Sequence, residues 1–244
     1  MLQGWYNLAS IHWPFDGAVV QALLPSGFRV DEFNNSAWVG LIPFEMRRIR
    51  LSFGPNGGLS PGRFGTFPET NVRTYIVDRH GRRGVWFFSL DITRLAPTLV
   101  ARICYGLPYC TATMSITNHI NDSQGTDDHS AINEGATYSS DRRWPRSALG
   151  PAHSDVGIRI GPRCHVETNE LAAFLSARWA LGSQFARQLV WAEVEHPEWE
   201  LFHAEITHCD ETMLVAAGLP APTGDPIALW SPGVEVRIGR PTFV

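Results

Sequence analysis

Along most of this chain apolar residues recur at every second position or run together briefly; the longer period of an amphipathic helix is rare. Alternation marks a strand with one buried face, and a short unbroken apolar run marks a strand covered on both. On that basis residues 5–13 form a first strand ending at Trp13-Pro14, where proline restricts the residue before it. Ser36 to Met46 form a buried strand in which Pro43 signals an edge or a bulge. Tyr109 to Thr117, Ala131 to Ser139, Asp155 to Ile160, Gln188 to Glu195, Glu200 to Thr207 and Ile227 to Ile238 extend the strand set. Helices are few. Asp16 caps one over Gly17 to Leu24, Asp91 caps one over Thr93 to Tyr105, and Thr212 to Ala217 is a short one. Thr168 caps a helix over Asn169 to Leu181, with Leu171, Phe174, Leu175 and Arg178 at helical spacing and Gly182 closing it. Phe53 to Phe67 is a loop dense in glycine, and Ser140 to His153 is a second loop. No repeat of 20–50 residues is present. The pattern predicts one mainly β domain over residues 1–244, a closed barrel or large double sheet with a few short helices.

One strand carries charge where a core strand is apolar. In Phe67-Pro68-Glu69-Thr70-Asn71-Val72-Arg73-Thr74-Tyr75, the side chains of Glu69, Asn71, Arg73 and Tyr75 share a face. The following strand, Val85-Trp86-Phe87-Phe88-Ser89-Leu90, is apolar on both faces, and Asp78-Arg79-His80-Gly81 is a turn short enough to make the two a hairpin. A strand beside one that is buried on both sides is itself enclosed. Enclosing a carboxylate and a guanidinium costs several kcal/mol per ion unless they are paired, so the pattern predicts a polar cavity.

Composition narrows the chemistry. A formal charge of −4 and a pI near 6.1 give no electrostatic footprint for nucleic acid, and no stretch reaches the roughly 20 apolar residues of a membrane span. The start of the chain has neither a basic region nor an apolar core of a signal peptide, and a cytoplasmic protein is expected. Cys104, Cys110, Cys164 and Cys209 have no metal or disulfide spacing. All 20 basic residues are arginine, so no lysine Schiff base, P-loop lysine or Ser-Lys dyad exists here. His203, Glu205 and His208 have metal-compatible side chains, but His208 faces away from the other two on a strand, and no metal or cofactor is expected.

Several stretches carry a family resemblance. His12-Trp13-Pro14, Trp38 to Phe44, Pro68-Glu69-Thr70-Asn71-Val72-Arg73-Thr74-Tyr75, Trp86 to Asp91 and Tyr105-Gly106-Leu107-Pro108-Tyr109 together resemble the YqjF-like family, and a weaker match continues to Ala216-Ala217-Gly218-Leu219-Pro220. That family is in turn similar to acetoacetate decarboxylases, which implies a closed β-barrel with an internal polar cavity. In those enzymes the helix-to-strand junction reads Gly-Phe-Pro-Lys and the lysine forms the Schiff base; here the junction reads Gly106-Leu107-Pro108-Tyr109. The resemblance thus places Tyr109 where the lysine would stand and puts Schiff-base decarboxylation out of reach. It also supports an interior position for Glu69.

The expected site is Glu69, Arg73 and Tyr109 as catalytic residues, with Asn71, His12 and Arg63 binding substrate. Arg73 supplies a planar fork for a carboxylate, a desolvated Glu69 titrates near neutrality, and Tyr109 donates to an enolate oxygen. The alternatives are a non-covalent lyase, dehydratase, isomerase or cyclase acting on an enolisable carbonyl or β-keto carboxylate, and a non-catalytic binder that keeps the cavity. The expected partner is a small molecule, with neither nucleic acid nor membrane, and self-association into a homo-oligomer is compatible with the sequence.

Overall fold

The polar strand and its apolar neighbour are the wall between two interiors. The computed structural model describes residues 1–52, 58–59, 65–93, 106–120, 134–144 and 150–244. In it β1 (Leu2–Phe15), β4 (Ser36–Ser52), β6 (Phe67–Asp78) and β7 (Arg83–Ile92) are long strands paired in the order β1-β4-β6-β7. Short β2 (Phe28–Val30), β3 (Glu32–Phe33) and β5 (Gly58–Leu59) attach to their edges. β8 (Tyr109–Ile120), β9 (Glu134–Trp144), β10 (His153–Cys164), β13 (Leu201–Glu211) and β14 (Ile227–Ile238) continue from β7 and return to β1, closing one ring. β11 (Ala180–Phe185) and β12 (Gln188–Glu195) bridge β7 to β14 by a shorter route, closing a second ring on the same wall. β15 (Thr242–Phe243) pairs with β12.

The two rings share β7, β6, β4, β1 and β14, and the end strands β7 and β14 serve both rings by splitting along their length. Val85 and Trp86 pair with β11 while Leu90 to Ile92 pair with β8; Leu229 and Trp230 pair with β13 while Arg237 and Ile238 pair with β12. Both faces of the shared wall are therefore buried, which is why residues 85–90 carry no polar face. Val72 and Phe88 pack into the larger ring with Ile11, Leu41 and Val156, whereas Val85, Phe87 and Leu90 pack into the smaller one with Leu181 and Val194. Burial of each such side chain contributes about 1.5–3 kcal/mol. Opposite Val72 and Arg73 the partners step from Ser89 to Phe87, leaving Phe88 as a bulge. The bulge reverses the side-chain parity of β7, so that Phe87 and Leu90 line the smaller ring together.

Three elements differ from the sequence pattern. The expected helix over Asn169–Leu181 is only α2, Glu170–Ser176, capped by Asn169 rather than Thr168; α1 is Gly17–Gln21 and α3 is Met213–Ala216. The chain leaves α2 at Ala177 (φ −78, ψ 73) because Leu181 and Gly182 pair in parallel with Val85 and Trp86, and tertiary pairing overrides helical spacing. Residues expected as loop from Ser140 belong to β9, held inside by Arg142, whose guanidinium makes two 2.7 Å bonds to Asp91. Asp91 is thus a buried strand residue. The expected helix over Thr93–Tyr105, and Arg63 with most of its loop, lie outside the described residues. Among the described residues no helix is long and apolar enough to cross a membrane.

Candidate functional site

The smaller ring encloses a cavity of about 50 Å³ whose polar wall is β6. Glu69, Asn71 and Arg73 project into it, as alternation on a strand requires, and Tyr109 enters from the first position of β8. Asn71, Leu90 and Tyr109 form one cross-strand row, so the β8 residue stands about 10 Å from the β6 residue at two strand spacings. The structure brings these four together as the sequence pattern predicts.

Burial governs the electrostatics. Glu69 is 2% exposed, and desolvation raises its carboxyl to about 8; the side-chain hydrogen bond from Asn71 opposes this, and the negative Asp91 behind the wall adds to it. A carboxyl that titrates near 8 exchanges protons at neutral pH. Burial, and then the charge of Glu69, push the Tyr109 phenol well above its usual 10, so it remains a donor.

Arg178, read from sequence as part of a helix at the spacing of Leu171, Phe174 and Leu175, lines the same cavity and is 5% exposed. Its Nη1 donates to Asp31 at 2.5 Å and its Nε to the Phe174 carbonyl at 2.9 Å, while the guanidinium lies over the rings of Phe174 and Tyr75 at 4.3 and 4.7 Å. This locks one side of the fork and leaves the other toward the cavity. The abrupt end of α2 placed Arg178 there, and no local motif announced it.

His12 is fully buried but does not line the cavity. It lies on the same face of the wall as Arg73 but beside the cavity, with Nε2 2.7 Å from the Tyr75 hydroxyl, which itself donates to the Leu175 carbonyl at 3.0 Å. Burial, with the positive charge of Arg73, lowers His12 to about 3. The residue expected to contact substrate is thus engaged by Tyr75 and is not among those that line the cavity. The surface groups expected to be metal-compatible are engaged elsewhere: Glu205 pairs with Arg159 at 2.6 Å and His208 with Asp155 at 3.1 Å. Among the described residues there is no group of three or more His, Cys, Asp or Glu able to hold a metal ion.

Unpartnered buried polar atoms concentrate here. Trp5 Nε1, Glu69 Oε2, Asn71 Oδ1, Arg73 Nε and Arg178 Nη2 have no hydrogen-bond partner, and all five residues line the cavity. Buried polar groups in folded proteins are almost always partnered, so such a cluster marks a place completed by something else. Two donors from guanidinium groups, a carboxyl and a phenol around one cavity form a set suited to a small carboxylate that also bears a carbonyl.

Known proteins agree with this architecture. An acetoacetate decarboxylase-like enzyme from Sphingomonas wittichii RW1 superposes with a TM-score of 0.61 at 14% identity, covering 100% of this chain and 92% of that one. The enduracididine biosynthesis enzyme MppR complexed with pyruvate superposes with a TM-score of 0.61 at 11% identity, covering 99% and 89%. At these identities the likeness is one of fold, and the fold is acetoacetate decarboxylase-like. The protein YqjF of Bacillus subtilis (strain 168) is 30% identical over 227 residues, 93% of this chain and 85% of that protein. Since the model of the DUF2071 family, described as an uncharacterized conserved protein, also matches residues 2–235, the chain belongs to the DUF2071, YqjF-like family.

Proposed function

We propose that the protein is a small-molecule enzyme that moves a proton on the carbon next to the carbonyl of a small oxo carboxylate, without a covalent intermediate. The observation that carries this reading is the clustering of unpartnered buried polar atoms of Glu69, Asn71, Arg73 and Arg178 around one cavity. Arg73 and Arg178 bind the carboxylate as two converging forks. Tyr109 donates to the carbonyl oxygen and stabilises the enolate as charge develops there. Glu69 takes the proton from the adjacent carbon and returns it, and a carboxyl near 8 is matched to that transfer at neutral pH. The chain contains no lysine, so the lysine iminium route is closed and hydrogen bonds stabilise the enolate. Pyruvate in the structurally similar MppR supports an oxo acid as the ligand class.

The test is hydrogen exchange at carbon. Pyruvate in heavy water should lose its methyl proton signal faster with enzyme than in buffer, and Glu69→Gln should abolish the gain while pyruvate still raises the melting temperature. Stabilisation without exchange would make the protein a binder that keeps the cavity. No stabilisation by millimolar pyruvate or acetoacetate would end the oxo-acid reading.

A further inference from the structure

The cavity is smaller than most substrates. A water needs roughly 10–15 Å³ of such space, so about 50 Å³ takes on the order of four heavy atoms, and a cavity that holds benzene is about three times larger. A carboxylate with its carbonyl fills it. Whatever else the substrate carries must leave along one side.

One side has a continuous aromatic path. Trp5 stacks on Trp199 at 6.1 Å, Trp199 meets His196 at 5.5 Å with the rings tilted by 59°, and His196 stacks on Trp179 at 5.9 Å and 15° from parallel. Trp5, Trp199 and His196 line the cavity, and Trp179 lies outside it, 52% exposed. The path is rigid. His196 is held by contacts of 2.8 and 3.0 Å to the carbonyls of Pro197 and Arg178, and the Trp179 carbonyl accepts from the Val194 backbone at 2.8 Å. Arg178 and Trp179 are consecutive, so the anion fork inside and the exposed ring outside are set by the same two residues. A large apolar ring left half in water, stacked on a fixed partner and continuous with a polar cavity, is suited to a flat apolar group entering from that direction.

Resting on the oxo-acid reading above, we infer that the substrate is an aryl-substituted oxo acid: its oxo-acid head occupies the cavity, and its ring lies against Trp199, His196 and Trp179. The experiment compares pyruvate, phenylpyruvate and cyclohexylpyruvate by calorimetric titration of the full chain. Phenylpyruvate should bind about tenfold more tightly than pyruvate, with the saturated ring in between. Trp179→Ala should remove most of the phenylpyruvate advantage and leave pyruvate affinity within about twofold; Trp179→Phe should restore it. If pyruvate binds and phenylpyruvate binds no better, the aromatic subsite is overturned while the oxo-acid cavity stands. If the advantage survives Trp179→Ala intact, the ring lies elsewhere and the inference fails. If neither acid binds, both readings fall.

Discussion

The imidazole of His12 and the phenol of Tyr75 lie 24° from parallel with Nε2 and the hydroxyl oxygen 2.7 Å apart. Because the Tyr75 hydroxyl donates to the Leu175 carbonyl, it must accept from His12, which places the histidine proton on Nε2. Burial keeps the ring neutral, and the Nε2–H tautomer supplies the donor this arrangement needs. A pinned Tyr75 in turn gives Arg73 and Arg178 an aromatic surface, at 5.8 and 4.7 Å from its centroid. The relay is mechanical: it fixes the two forks without entering the cavity.

Gly40 makes room for that ring. It is in register with both His12 and Arg73, and a Cβ there would lie 2.5 Å from His12 Nε2. Gly40→Ala must displace the imidazole or open the wall, so we expect about 1–3 kcal/mol of destabilisation, read as a lower urea midpoint. Wild-type stability in this variant would mean that His12 is not held as described.

The ion pair in the larger ring should behave differently when broken and when removed. Arg142 and Asp91 have side chains at 0% exposure. Asp91→Asn leaves a buried guanidinium without its carboxylate and should cost about 3–5 kcal/mol, whereas replacing both residues with leucine and methionine should cost much less. Equal losses by denaturant unfolding would contradict this. Asp91→Asn should also lower the Glu69 titration, since a negative neighbour is gone.

Arg178→Lys tests the locked fork. An ammonium cannot hold Asp31 and the Phe174 carbonyl while still presenting a donor to the cavity. Pyruvate affinity should fall about 10- to 100-fold, the value of a charge-assisted hydrogen bond, while the variant remains folded. Unchanged affinity would assign the carboxylate to Arg73 alone.

What could be read before the structure divides along a physical line. Glu69, Asn71 and Arg73 were legible because strand alternation puts charges on one face, and the two-sided apolar run of β7 required that face to be enclosed. Tyr109 was legible through the junction it occupies. Arg178, Trp179, His196 and Trp199 were not, because their roles come from long-range closure: α2 stops early so that β11 can pair with β7. His12 was found but misplaced, since alternation gives a face and not the partner across it. The second ring was hidden for the same reason, because no local pattern marks a strand that splits between two neighbours.

Glu69 and His12 should give the stability curve two opposing slopes. Glu69 is raised from 4.5 to about 8, so the folded protein keeps a proton that the unfolded chain releases, and stability falls as pH rises between these values. His12 is lowered from 6.5 to about 3, so the unfolded chain takes a proton that the folded protein refuses, and stability falls as pH drops from 6.5 toward 3. The two windows overlap between 4.5 and 6.5, where they partly cancel, leaving the Glu69 slope alone above 6.5 and the His12 slope alone below 4.5. Glu69→Gln removes the first slope. It should therefore match wild type near pH 4 and exceed it increasingly toward pH 9, by on the order of a few kcal/mol. His12→Gln should flatten the acid limb instead. The measurement is the urea midpoint of each variant across that range. A Glu69→Gln advantage that is the same at both ends would mean that the carboxyl titrates normally, and the proton-transfer role would lose its basis.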